Sequence, residues 1–266
     1  MRKVLTIAGS DCSGGAGIQA DIKTVTAHGM YAMSAITALT AQNTIGVYGV
    51  LEASVEFVAL QLDCIFRDIP PDAVKIGMVS NAGIIRVIAE KLRLYGAKNI
   101  VVDPVMVSTS GCKLLDSGAV EALAALLFPL ADIITPNIPE AEALCGFPVA
   151  DDASMLQAAH AISSSTGGAV LIKGGHSAGC ADDLLYERGQ AAWFHALRID
   201  TANTHGTGCT LSSAIACGLA AGLGIKESVE QAKAYVTGAL AAGLNLGQGC
   251  GPLDHCFGIR REARCS

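Results

Sequence analysis

The chain has little charge and few aromatic residues. Of its 266 residues, 16% are charged and 5% are aromatic, whereas 51% are hydrophobic. The formal net charge is −6 and no run of basic residues occurs. These features disfavour a nucleic-acid partner, because nucleic-acid phosphates need a positive protein face. They do not exclude a small phosphorylated ligand, which needs only a few local donors. The high hydrophobic fraction also argues against intrinsic disorder.

No stretch of the sequence is long and apolar enough for a transmembrane helix. The least polar stretches, 121–134 and 206–223, are interrupted by Glu121 and Pro129 or by hydroxyl residues and glycines. Neither provides the roughly 20 apolar residues that a membrane span requires. The apolar segment before Asp11 is too short for a signal peptide. We therefore expect a cytoplasmic protein without a membrane partner.

Closely spaced cysteines are also missing. The 10 cysteines are scattered along the chain and none forms a CxxC pair. Disulfide frameworks are typical of small secreted domains, and zinc sites require closely spaced ligand pairs. The sequence therefore favours free thiols, most of them structural.

Alternating strand and helix patterns predict one α/β domain over residues 1–266, with a mainly parallel sheet covered by helices on both faces. A hairpin is expected at 184–196, around Arg188-Gly189, followed by helices at 207–222 and 226–246. Apolar runs predict the other strands at 4–10, 32–41, 72–80, 99–107, 131–137 and 169–176. Helical spacing predicts the other helices at 16–29, 54–69, 81–96, 117–131, 139–146 and 151–166.

Two glycine-rich stretches precede helices, SDCSGGAGIQAD at 10–21 and HGTGCT at 205–210. A helix start presents unpaired N–H groups and a positive dipole end, so it can bind an anion. The first stretch contains a loose G-x-G-x-x-A match, which is typical of dinucleotide-binding folds. The acidic residue which that interpretation requires after the second strand is missing from ITALTAQN. The P-loop pattern G-x-x-x-x-G-K-[ST] is absent as well.

Polar residues follow the ends of several predicted strands, where ligands bind in open α/β sheets. Carboxylates suit Mg²⁺, and a lysine stabilises the charge on a transferring phosphoryl group. Each residue also has a structural interpretation, such as a turn former or a first-turn helix acid. Together they favour phosphoryl transfer. These residues are Asp11, Asp21, Gln42, Asn43, Asp103, Asn137, Glu140 and Lys173.

Several longer motifs match a known family. GSDCSGGAGIQAD, TALTAQNT, KIGM, DPVM, TPNIPEAE, KGGH and NTHGTGCTLSSAIA together resemble the hydroxymethylpyrimidine and phosphomethylpyrimidine kinases of thiamine biosynthesis, in the ribokinase-like superfamily. The match extends from residue 4 to GQGCGPLDH near 247–255. The resemblance implies a three-layer α/β/α sandwich, ATP and Mg²⁺ as cofactors, and a homodimer. It also implies ATP-dependent phosphorylation of 4-amino-5-hydroxymethyl-2-methylpyrimidine and then of its monophosphate.

The resemblance also implies which residues bind the pyrimidine. Gly9, Asp21 and Gln42 are expected to contact it, and Met78 and Val105 to wall the pocket. Asp21 and Gln42 make chemical sense, since an aminopyrimidine offers ring acceptors and an amino donor along one edge.

The same resemblance assigns the phosphoryl-transfer residues. Asp103, Asn137 and Glu140 are expected to manage Mg²⁺ and its waters, and Lys173 to face the nucleotide phosphates. Gly206, Thr207 and Gly208 are expected to form an anion hole with their backbone amides, with Thr207 also near the nucleotide.

The chain departs from the family pattern at two positions. Cys12 stands where the family usually has proline, which predicts a looser loop over the substrate. Cys112 stands where aspartate is common, which predicts a weaker contact at a loop tip.

Cys209 stands where most relatives in the wider superfamily carry aspartate. The ordinary pKa of a thiol is near 8.5, and a helix N-terminus lowers it. Cys209 is therefore a candidate general base for the substrate hydroxyl. The alternative is that Cys209 packs behind the loop as a small residue. Cys217, two helical turns later, is expected in the core.

Three other functions compete with this interpretation. A pyridoxine or pyridoxal kinase would use the same chemistry on a similar alcohol, and Gln42 and Met78 favour the pyrimidine over it. A catalytically idle pyrimidine-binding sensor is disfavoured by the complete set of magnesium and anion-hole residues. A nicotinamide dehydrogenase is disfavoured by the missing acidic residue.

Overall fold

A computed structural model describes residues 1–106, 117–174, 182–196 and 199–259. Cys112 and the last residues of the strands expected at 99–107 and 169–176 lie outside these ranges. No helix in the described ranges is long and apolar enough to cross a membrane.

The described strands form one nine-stranded sheet. They are β1 Lys3–Asp11, β2 Tyr31–Gln42, β3 Val47–Glu52, β4 Ala73–Ile76, β5 Ile100–Val102, β6 Ile133–Ile134, β7 Ala169–Ile172, β8 Asp183–Glu187 and β9 Gln190–Phe194. Their order is β3-β2-β1-β4-β5-β6-β7-β8-β9. The six central strands, β2-β1-β4-β5-β6-β7, are parallel. At one edge β3 pairs antiparallel with β2, and at the other β8 pairs antiparallel with both β7 and β9. This confirms the mainly parallel α/β sheet.

The helices begin close to the positions that the sequence predicts. They are α1 Gly17–Ala27, α2 Val55–Asp68, α3 Ala82–Leu94, α4 Ser117–Ala122, α5 Ile138–Cys145, α6 Asp152–Thr166, α7 Thr207–Ala221 and α8 Ile225–Ala241. Ser54 and Asn81 cap α2 and α3 by accepting a hydrogen bond from a first-turn backbone N–H. The helix expected at 117–131 continues beyond α4 only as a π turn and a 3-10 turn that contains Pro129, which cannot donate a helical hydrogen bond.

Helices cover both faces of the sheet, as the α/β/α expectation requires. Successive strand residues point to opposite faces, so Leu5 joins a core with α2 and α3, whereas Val4 joins a core with α7 and α8. The helices α5 and α6 pack over β7 and β8 in a third cluster that includes Ile162 and Ile172.

The edge strand β3 was not predicted from the sequence. It runs antiparallel to β2 and most of its residues are exposed. Its sequence, VYGVLE, therefore lacks the buried apolar face from which a strand is recognised.

Candidate functional site

The strand order reverses at β1, which lies between β2 and β4. Ligands bind beyond the carboxyl ends of the strands at such a point. Here Gly9 packs so closely on Met78 that a Cβ at Gly9 would collide with the Met78 methyl group. Met78 follows β4 and Val105 follows β5, the next strand in the sheet, and both side chains are partly exposed. Three of the residues expected to form the pocket thus lie at the carboxyl ends of the strands.

The second glycine turn lies directly against the first. Gly206 is the N-cap of α7 with a φ of 84°, a left-handed conformation that glycine adopts without strain. A Cβ at Gly206 would collide with the carbonyl oxygen of Gly15. No described side chain caps this helix start. The Thr207 N–H donates to the Thr204 carbonyl oxygen at 3.3 Å, and the N–H groups that follow it in the first turn can face an anion. The Thr207 hydroxyl is used inside the turn, where it donates to the Thr204 carbonyl oxygen at 2.7 Å.

Lys173 and Asp103 form an ion pair beside this turn. Lys173 Nζ lies 2.8 Å from Asp103 Oδ1, and the Thr135 hydroxyl donates to the same oxygen at 3.1 Å. An ideal Cβ on Gly208 would lie 3.4 Å from both Asp103 Oδ2 and Lys173 Nζ. The pair therefore lies against the backbone of the turn. Burial lowers the pKa of Lys173, but Asp103 and Glu140 outweigh burial and raise it above its ordinary value. The ammonium group therefore remains charged.

Asn137 and Glu140 begin α5 as a capping box. The Asn137 side chain accepts from the Glu140 N–H at 2.9 Å, and the Glu140 carboxylate accepts from the Asn137 N–H at 2.8 Å. Burial raises the pKa of Glu140, Lys173 opposes this, and the negative charge of Asp103 adds to it. Two carboxylates that share one ammonium group are suited to a further cation. Among the described residues, no cluster of three or more histidine, cysteine or acidic side chains could hold a metal.

Asp21 does not lie in the crevice, which corrects the expectation that it contacts the pyrimidine. The side chains of Asp21 and Lys75 are both 0% exposed, and Lys75 Nζ lies 2.9 Å from Asp21 Oδ2. The Ser213 hydroxyl donates to Asp21 Oδ1 at 2.8 Å, and the Thr6 hydroxyl donates to Oδ2. The carboxylate is thus bonded within the protein and sealed from ligands. Its position on α1 directs it toward the sheet and α7.

Cys209 lies in the first turn of α7, on the same helix face as Ser212 and Ser213. Ser212 Oγ lies 3.4 Å from Asp103 Oδ2, and Ser213 reaches Asp21. Burial raises the pKa of the Cys209 thiol to about 11, with Lys75 opposing this shift and the two carboxylates adding to it. The expectation of a lowered pKa is therefore wrong for this environment, because desolvation raises the pKa and the charges of Asp21 and Asp103 add to that rise.

Gln42, at the end of β2, contacts residues of both glycine loops. Its amide nitrogen Nε2 lies 3.3 Å from His205 Nε2, which in turn lies 2.8 Å from Asp11 Oδ2. The Cys12 thiol donates to the Gln42 carbonyl oxygen at 3.1 Å and lies 3.3 Å from the Gln42 backbone nitrogen. Cys12 therefore links its loop to β2 through hydrogen bonds that a proline side chain could not form.

A cavity of about 240 Å³ opens beside this cluster. The backbone N–H groups of Gln248 and Gly249 donate to the Thr44 hydroxyl at 3.1 and 3.2 Å. These bonds hold the glycine-rich segment after α8 against the β2–β3 turn, so the cavity is bounded by the late part of the chain. It is lined by Ser13, Gly15, Asn43, Thr44, His205, Leu246, Gly247 and Pro252.

Two residues of this region, Lys75 and His205, were not predicted from the sequence. Lys75 interrupts the apolar run DAVKIGMVS, and a lysine in a buried strand requires a charged partner. His205 directly precedes the glycine turn of α7. Both signals are local, but the partners Asp21 and Asp11 lie 54 and 194 positions away.

Comparison with known proteins shows to which family the chain belongs. A family model described as phosphomethylpyrimidine kinase matches residues 11–254. A hydroxymethylpyrimidine/phosphomethylpyrimidine kinase of Rhizobium meliloti is 52% identical over 94% of this chain and 96% of its own length. A thiamine biosynthesis bifunctional protein of Geobacter sulfurreducens is 51% identical over 95% of this chain, which spans only 52% of that longer protein.

A solved structure shares the fold over almost the whole chain. The ADP complex of Bacillus subtilis pyridoxal kinase has a TM-score of 0.90 and 37% identity, and the match covers 98% of this chain and 99% of that one. The fold alone therefore does not separate a pyrimidine kinase from a pyridoxal kinase. The sequence match is more specific, and by that match the chain belongs to the phosphomethylpyrimidine kinase family.

Proposed function

We propose that this chain transfers the γ-phosphoryl group of ATP to the hydroxymethyl group of 4-amino-5-hydroxymethyl-2-methylpyrimidine, and then a second phosphoryl group to the monophosphate, in thiamine biosynthesis. The observation that carries the proposal is the convergence of the Gly206–Gly208 turn with the Lys173–Asp103 pair at the carboxyl ends of the parallel strands. Family membership supports the kinase chemistry, and the ADP complex of the related pyridoxal kinase supports ATP as the donor.

The positive groups at this edge suit a transferring phosphoryl group. The first N–H groups of α7 would face the equatorial oxygens, and Lys173 would face the nucleotide phosphates. Both are fixed before the reaction, since Gly208 lies against the Lys173–Asp103 pair. Preorganised donors of this kind stabilise developing negative charge without reorganising during the reaction.

Asp103 and Glu140 are the residues that would hold Mg²⁺, with Asn137 beside them. Their buried carboxylates share only one described ammonium group, that of Lys173. Mg²⁺ commonly uses one or two carboxylates together with substrate phosphates, so this donor set fits that ion. The bound ion would neutralise charge on the phosphates.

The pyrimidine would occupy the crevice between Gly9, Met78, Val105 and Gln42. The closely packed Gly9 and Met78 provide an apolar wall, and Gln42 provides an amide donor and acceptor. Cys209 would stand near the reacting hydroxyl at the start of α7. Because burial raises its pKa to about 11, it would act as a base only once bound ligands change its surroundings; otherwise it positions the hydroxyl.

A pyridoxal kinase is the second candidate, because the related structure with that activity shares the fold at a TM-score of 0.90. An idle pyrimidine-binding sensor is disfavoured by the charged Lys173–Asp103 pair, which binding alone would not require. Phosphoryl transfer from ATP to hydroxymethylpyrimidine, to its monophosphate and to pyridoxal, followed separately, tests all three functions. Turnover of pyridoxal alone would overturn the proposal, and no turnover would favour the sensor.

Lys173→Ala should lower kcat by about 100-fold in that assay, while calorimetry should show unchanged pyrimidine affinity. Lys98→Ala is the matched control, since Lys98 is exposed just before β5, at the amino ends of the parallel strands and away from the site. Lost pyrimidine affinity in Lys173→Ala would contradict its assignment to the nucleotide phosphates.

We also propose that the chain forms a homodimer through the hairpin of β2 and β3 and the adjoining face of α2. An edge strand with exposed apolar residues is suited to burial against a second copy. Light scattering of Leu51→Glu should then show a monomer if this surface is the interface. The exposed apolar residues of this surface are Leu39, Ile45, Tyr48, Val50, Leu51, Phe57 and Leu60.

We propose a cytoplasmic location because the cysteines in the described part of the chain are free. Seven of them are free, and Cys12, Cys64 and Cys250 are exposed. Exposed free thiols are typical of a reducing compartment.

A further inference from the structure

A buried carboxylate, that of Asp183 at the start of β8, lies beside the strand end that carries Lys173. The β7–β8 pair aligns Leu171 with Leu185, and the same register, continued by two residues, aligns Lys173 with Asp183. Leu171 and Leu185 belong to the core cluster with α7 and α8, and residues two positions apart on a strand share a face. Lys173 and Asp183 therefore lie on the face of the sheet that α7 and α8 cover.

Asp183 contacts the backbone directly after Lys173. Its oxygen Oδ1 accepts a buried hydrogen bond from the Gly174 N–H at 2.9 Å. The Gly174 backbone also lies tightly against the chain that enters β8, because a Cβ at Gly174 would collide with the Asp182 carbonyl oxygen. The Lys173 N–H donates to the Pro136 carbonyl oxygen at 2.8 Å. The peptide groups on both sides of the Lys173 Cα are therefore held by hydrogen bonds.

Lys233, on α8, holds the other oxygen of this carboxylate. Lys233 Nζ lies 2.8 Å from Asp183 Oδ2 and donates to the Phe194 carbonyl oxygen, on β9, at 3.0 Å. The side chains of Lys233 and Asp183 are only 14% and 10% exposed. Because a buried charge that loses its partner is costly, such a pair keeps one arrangement. The carboxylate of Asp183 thus ties the end of β7 to α8.

Asp183 acts on the position of Lys173 rather than on its charge. The negative charges that raise the pKa of Lys173 most are those of Asp103 and Glu140, and Lys173 Nζ donates to Asp103. Asp183 instead contacts the peptide N–H of Gly174. Lysine carries its charge on a flexible four-carbon stem, so its ammonium group reaches one point reproducibly only when the backbone that carries the stem is fixed.

We propose that Asp183, held by Lys233, is a positioning residue that fixes the backbone beside Lys173 and so keeps the Lys173 ammonium group aimed at the nucleotide phosphates. Asp183 touches neither the substrate nor the nucleotide in this arrangement, and its whole effect on the reaction passes through Lys173. The proposal rests on the proposed function, since it concerns the same phosphate-facing lysine.

The test is a double-variant cycle that measures kcat/KM for ATP in the full-length enzyme. Asp183→Ala takes the acceptor from the buried Gly174 N–H and should lower kcat/KM about tenfold, while calorimetry shows unchanged pyrimidine affinity. In the Lys173→Ala background the same substitution should change kcat/KM by about twofold or less, because a residue that acts through Lys173 loses its effect once that side chain is removed. Asp63→Ala is the matched control, since it removes a partly buried carboxylate from a 2.7 Å ion pair with Lys91, and it should leave kcat/KM unchanged in both backgrounds.

Lys233→Met provides a second route, so the proposal can be tested even if Asp183→Ala does not fold. It spares the Gly174 contact and removes only the cation that holds the carboxylate, so it should lower kcat/KM for ATP about threefold and have no effect in the Lys173→Ala background. Losses of equal size in both backgrounds, or an unchanged kcat/KM in both single variants, would overturn the proposal. A wild-type enzyme without pyrimidine turnover would instead overturn the proposed function, and the same cycle, followed as ATP affinity by calorimetry, would then decide the role of Asp183.

Discussion

Replacing Lys75 by methionine tests the buried charge pair beneath the site. The substitution keeps an unbranched side chain that is one heavy atom shorter, and it removes the charge. Asp21 would retain its hydrogen bonds from Thr6 and Ser213, but its carboxylate would lose the only described cation that it contacts, in a position that is 0% exposed.

The expected loss of stability is large. Removing one partner of a buried pair costs about 3–5 kcal/mol, because the remaining charge is uncompensated. In a chain of this size about 1 kcal/mol lowers Tm by about 2–4 °C, so Lys75→Met should lower Tm by roughly 6–20 °C.

Thermal and urea unfolding would measure this loss. Lys91→Met is the matched control, since Lys91 pairs with Asp63 at 2.7 Å but both side chains are partly exposed, and it should lower Tm only slightly. The double variant of Lys75→Met with Asp21→Asn removes both charges and should be more stable than Lys75→Met alone. Equal losses for the two lysine variants, or a double variant less stable than Lys75→Met, would refute the reasoning.

Three further predictions concern the loops and the thiol. Gly206→Ala should abolish most turnover, because φ is 84° there and a Cβ would collide with the neighbouring loop. Gly224→Ala is the control and should leave turnover unchanged, since Gly224 is the N-cap of α8 and a Cβ there meets open space. An ATP turnover assay compares the two variants. Cys209→Ala should slow transfer to the alcohol more than transfer to the ionised monophosphate. Equal losses in both steps would assign Cys209 to positioning. Asp11 has a pKa lowered to about 2, so its contribution to stability is present above its ordinary value and is lost as pH falls through about 2; acid unfolding of Asp11→Asn should lack that component.

The fold could be predicted from the sequence wherever a segment has a buried side. The helix α2 has Val58, Leu62 and Phe66 buried on one stripe, and its spacing shows this directly. The strand β3 could not be found, because its apolar residues are exposed and do not alternate with a buried face. The stretch 117–131 was only partly predicted, since the helical pattern continues through Pro129 although the backbone cannot remain helical there.

The site could be predicted only as a set of residue types at strand ends. The edge that carries Lys173, Asp103 and Glu140 follows from the parallel topology, which brings the ends of successive strands together. The direction in which a single helical side chain points does not follow from the topology. Asp21 lies four residues into α1, and nothing in its neighbourhood shows that Lys75, on β4, occupies the space beneath it. The raised pKa of Cys209 depends on the same distant charges.

One helix couples the two ion pairs of this site. Ser212 and Ser213 lie three and four residues after Cys209 and reach Asp103 and Asp21, respectively. The start of α7 therefore cannot move relative to α1 and the end of β5 without disturbing a hydrogen bond to one of these two buried carboxylates. A turn held in this way keeps its N–H groups aimed at one point, which is the condition under which backbone donors stabilise a transition state rather than merely bind an anion.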